Sequence, residues 1–224
     1  MRRAALIVVF LLACAGTALA AKGDPKKAIT KADQARARAM LVKRTDLAAG
    51  FRVRASSGQE PDFYCKAADE SDLTVTGDAD SPDFDLQNQG VTVLSVSSHA
   101  SLYRTVGQAN TSWRRGTSPA GERCARSLLA KILGPLGVRG ITLAHAAFPT
   151  VAPRTVRYRV SGTLAAQGQR VPLTFDVVVL QNGRAQVSLF FFRLGTAPSV
   201  AEEVALARLT AQRMSKALGS PPTA

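Results

Sequence analysis

The chain has 224 residues, 46% of them hydrophobic, and a formal charge of +13 from 29 Lys and Arg against 16 Asp and Glu. That length fits one domain with a core large enough to fold alone, and the charge balance favours anionic partners. Nucleic acid is not expected among them, because no recognition motif with interleaved aromatics is present.

The first element is a leader. Met1, Arg2 and Arg3 are followed by an apolar run, Ala4 to Ala13, and by the small-x-small site Ala18-Leu19-Ala20, the pattern of a secretory signal peptide over residues 1–20. The mature chain is then expected to start near Ala21, outside the cytoplasm, where ATP and nicotinamide cofactors are not partners; no cofactor is expected. Leu11-Leu12-Ala13-Cys14 offers a competing lipobox, which would leave a lipid anchor on Cys14. The cramped apolar run before such a cut favours soluble secretion. No later segment is long and apolar enough to be a transmembrane span.

Residues 21–27 read as a short polar tether with Pro25, ahead of a globular region over 28–219. Ile29, Ala32, Ala35, Ala39 and Met40 recur at helical spacing, which predicts a helix from Ala28 to about Lys43. The chain then turns through Asp46-Leu47-Ala48-Ala49-Gly50 into a short strand at Phe51 to Arg54. Residues 57–90 are rich in Gly, Pro, Asp and Ser and read mostly as loop, with one strand at Leu73 to Thr76. Nine of the 16 acidic residues fall between Glu60 and Asp85, where Lys66 is the only base. Asp78, Asp80, Asp83 and Asp85 resemble a calcium loop in composition only. There is no Gly at the sixth position and Gln89 replaces the bidentate Glu, so a solvated loop with no metal is expected. Zinc is not expected either, since two cysteines, His99 and His145 lack ligand spacing.

Val91 to Ser97 is strand-like. Leu102, Val106, Ala109 and Trp113 step by four, three and four along a helix from about Ala100 to Arg114. The sequon Asn110-Thr111-Ser112 lies inside that helix and is discounted. A second helix, Pro119 to Leu133, carries Cys124, Leu128 and Ile132 on one stripe. After signal cleavage Cys65 and Cys124 are the remaining cysteines. An even pair in an oxidising compartment favours a Cys65–Cys124 disulfide, two buried thiols being the alternative. His145 lies in an apolar run, where a core or interface position is expected.

In the C-terminal half Val156, Tyr158 and Val160 alternate with Arg157, Arg159 and Ser161, the period of a strand. Gln181-Asn182-Gly183-Arg184 predicts a two-residue type I′ hairpin in which Gln181 faces Arg184 and Asp176 faces Leu189. One hairpin face then collects Val171, Leu173, Phe175, Val177, Val179, Phe190, Phe192 and Leu194. The other collects Val178, Leu180, Ala185, Val187, Leu189 and Phe191. Neither face can be left in water, so the fold class is α+β: an antiparallel sheet covered by helices on both faces, an α-β-α sandwich. A final helix opens with a Ser199/Glu202 capping box, buries Val200, Val204, Ala207, Ala211, Met214 and Leu218, and ends at Gly219, before a tail over 220–224.

An N-terminal helix, the turn Asp46-Leu47-x-x-Gly50-Phe51, one Cys after it, another in a helix, a meander ending in Gly183-Arg184-Ala185 and a closing helix together resemble a known family. They are similar to the extracytoplasmic sensor-like domains of actinobacterial lipoproteins and Ser/Thr kinases, which share a PsbP-like α-β-α sandwich. The resemblance implies a non-enzymatic domain that binds an envelope ligand in a cleft. This chain carries no kinase domain and one possible disulfide where the kinase sensors have two.

No nucleophile elbow, phosphate-binding glycine loop or His-Glu-x-x-His helix occurs, so no catalytic residue is assigned. The leading expectation is a secreted, basic binding domain for an anionic or apolar envelope polymer, lipid or protein. Arg154, Arg157, Arg159 and Arg193 are its candidate contacts, with Asp176 either a ligand contact or a structural ion-pair partner. The alternatives are an interaction module docking through a sheet face, and a secreted hydrolase with an unrecognised site.

Overall fold

Among the described residues, nine strands form one sheet: β1 (Lys26–Lys27), β2 (Arg52–Arg54), β3 (Thr74–Asp80), β4 (Asp83–Asn88), β5 (Val91–Tyr103), β6 (Val138–His145), β7 (Arg154–Ala166), β8 (Gln169–Asn182) and β9 (Ala185–Leu194). Four helices pack on it: α1 (Lys31–Met40), α2 (Val106–Gly116), α3 (Pro119–Leu133) and α4 (Val200–Leu218). The structure is a computed structural model and describes residues 23–55, 64–166, 169–195 and 199–219. The expected signal peptide, Cys14 and the 220–224 tail lie outside them. The strand order is β1-β3-β5-β9-β8-β7-β6, with β4 beside the first half of β5 and β2 beside β4. All neighbours are antiparallel except the two-residue β1 on β3.

The alternation read in the hairpin sorts its side chains onto two faces. On the first, Val178, Leu180, Ala185, Val187 and Leu189 are each 0% exposed. They pack against Ala37 and Met40 of α1 and Leu206, Ala207, Ala211 and Met214 of α4. Each such Val, Leu or Met side chain contributes about 1.5–3 kcal/mol of burial; α1 itself buries only Asp33, Ala37 and Met40, while Ala32, Ala35 and Ala39 of the expected stripe are exposed. On the second face Val160, Leu164, Leu173 and Phe175 meet Leu129, Ile132 and Leu133 of α3, and α2 contributes Ala109 to a smaller cluster with Leu73, Val75 and Tyr103. This cover is thinner: Val177, Phe190, Phe192 and Leu194 stay half-buried.

Several expectations are corrected. The β8–β9 turn is Gly183-Arg184, closed by Asn182 opposite Ala185, so Asp176 faces Phe191 and not Leu189. Gly183 takes φ +54° while Arg184 keeps a negative φ, the requirement of a type II′ turn. The anchoring of Arg184 decides it, since its side chain reaches Asp33 and the Tyr103 carbonyl. A shift of one residue on each strand leaves both faces as read. The acidic stretch is not a solvated loop: Asp78 and Asp80 lie on β3 and Asp83 and Asp85 on β4. Asp83 and Asp85 are buried because Arg54 reaches both, at 2.9 and 2.7 Å. β5 runs on to Tyr103, so Leu102 is a strand residue and α2 starts only after its cap Thr105, whose hydroxyl accepts from the Gln108 N–H. Lys26 and Lys27, within the expected tether, already belong to the sheet. Ser199 makes no side-chain cap to α4, and Glu202 turns instead to Arg193 at 3.4 Å.

Cys65 and Cys124 form a disulfide across 59 positions, with Cα atoms 6.1 Å apart. It fastens the short 3-10 turn Lys66–Ala68 to α3.

Candidate functional site

α4 covers the first face only from Asp176 towards Asn182; the outer part of β6, β7 and β8 runs on beyond its N-terminus. There the alternation puts short polar side chains on the first face. Thr174 of β8 pairs with Ser161 of β7, which pairs with Thr142 of β6, and Arg193 of β9 continues the row on the other side. Thr163 faces Arg139 in the neighbouring row. A bulge between Arg139 and Thr142 keeps both on this face. Gly140 provides it at φ +63°, the left-handed conformation that such a bulge needs. The floor grades from buried Thr174 through half-buried Ser161 and Thr163 to exposed Thr142, with Arg139 and Arg170 exposed at its margin.

Inward of this corner is an ion cluster under the first turns of α4. Arg157 donates to Asp176 Oδ2 at 2.9 Å, and Arg159 donates to both Asp176 oxygens at 2.8 and 2.7 Å. Arg157 Nε also lies 2.9 Å from Glu203 Oε2, off the N–H axis, so it makes no hydrogen bond there. Phe148 stacks over the Arg157 guanidinium with 5.8 Å to the ring centre. Burial works to raise the Asp176 carboxyl, but the Arg159 hydrogen bonds and the Arg157 charge hold it below the usual range. Glu203 goes the other way: burial first, then the Asp176 charge, push it up to about 8.

Of the five residues singled out in the sequence, Arg157, Arg159, Asp176 and Arg193 therefore share one face. Arg157 and Asp176 are 3% and 0% exposed and committed to each other, whereas Arg159 keeps 28% of its side chain in solvent. Arg193 Nε is buried without a hydrogen bond. Arg154 is elsewhere: it points to the second face, 3.4 Å from Gln181 Oε1. Sequence reasoning missed Glu203, Arg139, Arg170 and the hydroxyl row. The alternation Ser161-x-Thr163 was a signal for the row, but the Gly140 bulge hides the matching Thr142.

Two histidines lie outside this corner. His145 is not a core residue: its side chain is 56% exposed, at the end of β6, where it contacts Glu122 of α3 and leans on Tyr158 at 4.7 Å between ring centres. Burial, then the Glu122 charge, push the Tyr158 phenol up to about 12. His99 Nδ1 is 2.7 Å from Asp80, and its Nε2 lies 2.8 Å from Ser101 Oγ and 3.3 Å from Asp78. Ser, His and Asp are thus connected. Yet Asp78 crowds the nitrogen that would have to accept a proton, and β5 is flanked by β3 and β9, which occupy the backbone donors an oxyanion would require.

No protein-family model matches the chain, and no curated protein matches it significantly. Among solved structures it is similar to the extracellular domain of PknH from Mycobacterium tuberculosis, with 10% identity over 82% of this chain and 96% of that one and a TM-score of 0.45. It is also similar to LpqN, involved in cell envelope biogenesis of Mycobacterium tuberculosis, with 9% identity over 76% of this chain and 78% of that one and a TM-score of 0.31. At such scores neither likeness speaks to what this chain binds. Among the described residues no helix is long and apolar enough to cross a membrane.

Proposed function

We propose that this chain is an extracytoplasmic, non-enzymatic domain that binds an anionic envelope ligand on the outer corner of its sheet. The observation that carries the reading is the arginine set around the hydroxyl row: Arg139, Arg159, Arg170 and Arg193 contribute one cation from each of four adjacent strands. Between residues 119 and 175 the only acid is Glu122, which is engaged with His145 on the other side of the sheet. Hydroxyls that donate to oxyanions beside guanidinium groups are a chemistry suited to phosphate, sulfate or carboxylate. The disulfide supports an oxidising compartment. Calorimetric titration with pyrophosphate, citrate and dextran sulfate at low ionic strength tests the reading. Binding that weakens with salt is expected, and no binding of any of them at low salt would end it.

A second reading, docking of a protein through the second sheet face, is favoured by the half-buried Val177, Phe190, Phe192 and Leu194. It requires a concentration-dependent mass in sedimentation or a partner that protects those residues.

A further inference from the structure

Beneath the first turn of α4 the side chains of Asp176, Glu203 and Arg157 are 0%, 1% and 3% exposed, so three ionisable groups sit out of reach of solvent. Their hydrogen bonds are unevenly shared. Asp176 accepts from both Arg157 and Arg159, while neither Glu203 oxygen accepts from a donor. What Glu203 does reach is the Asp176 carboxyl. Two ionised carboxylates offer only acceptors and cannot bond to each other; a proton on one makes it the donor. Ionised, Glu203 would also be a buried charge without a hydrogen bond, which is costly. The arrangement fits a protonated Glu203 donating to Asp176. Burial and the Asp176 charge raise the Glu203 pKa to about 8, so the proton is held at neutral pH and lost in mildly alkaline solution.

The neighbours of Glu203 come from every element around it. β7 brings Arg157 and Arg159, β8 brings Asp176, and β9 brings Arg193, which turns to Glu202 on α4 itself. α1, packed along the same helix, brings apolar Ala37 and Met40, and Phe148 covers Arg157. The arginines stay charged and Asp176 is held below the usual range, so Glu203 is the member of the buried cluster that changes charge.

Resting on the anion-binding reading above, we infer that the proton between Glu203 and Asp176 regulates the corner: with it the cluster sets two guanidiniums against one carboxylate and attracts an anion, and without it two against two, so the attraction falls away. The lever is short. Asp176 is two residues from Thr174 along β8 and Arg159 is two from Ser161 along β7, about 7 Å, so the cluster borders the hydroxyl row. Arg159 links the two, bound to Asp176 yet with 28% of its side chain in solvent. One unit charge at that range, screened as near a protein surface, alters anion affinity by about tenfold. The coupling is reciprocal: a bound anion must strengthen proton binding by Glu203 by the same factor.

The test follows sucrose octasulfate, whose charge is constant over the range used, binding at low ionic strength to the chain expressed from Ala21. From about pH 6.5 to about pH 9.5 its affinity is expected to fall about tenfold in the wild type. The fall should be much smaller in Glu203→Gln, whose uncharged amide can still donate to Asp176. On the wild type alone, carbon-13 NMR of the Glu203 carboxyl should show its titration moved up by about one pH unit when the anion is bound, the same tenfold factor. Equal affinity at both ends of the range, an equal fall in Glu203→Gln, or a Glu203 titration unmoved by the anion would each overturn the proton coupling and leave anion binding in place. No binding at any pH would remove the anion-binding reading and the coupling with it.

Discussion

Asp33 of α1 and Arg184 of the β8–β9 turn, 151 positions apart in sequence, meet through charge-assisted hydrogen bonds of 2.8 and 2.5 Å. The same carboxylate accepts from Thr76 of β3 at 2.6 Å, so helix, hairpin and sheet are joined at one group. Arg184 holds Asp33 well below the usual carboxylate range. An acid with a depressed folded pKa contributes stability that is present above its unfolded pKa and lost as the pH falls below it. Asp33→Asn is therefore expected to cost about 2 kcal/mol at neutral pH and measurably less near pH 3, where the loss has begun but the folded carboxylate is still ionised. Urea titrations at the two pH values check this; an equal cost at both would show that charge is not the reason.

Glu203 carries the opposite sign. Its folded pKa is raised to about 8, so the folded state binds a proton more tightly than the unfolded one. Stability should then be full below the unfolded value of 4.5 and decline as the pH rises from there through about 8, by at most about 1.4 kcal/mol per pH unit. Glu203→Gln, which keeps the shape of the protonated acid, should flatten that decline. Melting temperatures at pH 5 to 9 of wild type and variant decide it, and parallel profiles would place the titration in another group.

For the disulfide, the 59-position separation gives about 4 kcal/mol of stabilisation in the chain-entropy model. Cys65→Ser and Cys124→Ser should each lose a large part of it, and the double variant should lose no more than either single one. Intact-mass measurement of the protein purified without reductant, before and after reduction, reports the bond directly; two free thiols in the unreduced protein would refute it.

Gly77 is placed where β3 passes under α1. A Cβ there would sit 2.4 Å from the Asp33 carbonyl oxygen, a backbone atom that cannot swing aside. Gly77→Ala is expected to cost about 1–3 kcal/mol through overpacking, whereas Gly90→Ala, with open space but φ +80°, probes backbone strain alone. If Gly77→Ala melts like wild type, α1 is not seated on β3 as described.

Periodicity made the hairpin faces, α3 and the end of α4 legible, because each depends on residues close in sequence: Pro119 and Ser118 start one helix and Gly219 at φ +68° stops the other. What escaped depends on partners far away. Asp83 and Asp85 look like loop residues until Arg54 is beside them. Leu102 fits a helical stripe equally well, and only pairing with Gly77 and Ala185 draws it into β5. The candidate site was legible in part: Arg157, Arg159 and Asp176 follow from strand alternation and register parity. Glu203 did not, because nothing in an amphipathic helix marks which end of it lies over a buried arginine.

α1 is held by what is synthesised last. Asp33 waits for Arg184, and Asp46 for Arg213 of α4, which donates to it at 2.6 and 2.7 Å and to the Leu41 carbonyl at 2.9 Å. β5 likewise lacks its β9 neighbour until residues 185–194 exist. A chain emerging N-terminus first can seat α1 on β3 through the Asp33–Thr76 bond, but the Arg184 and Arg213 anchors are missing until nearly all of it has appeared. Folding must be late and dominated by distant contacts, which makes it slow. Until residue 213 has appeared, the first helix and the turn after it therefore stay without both of their arginine anchors.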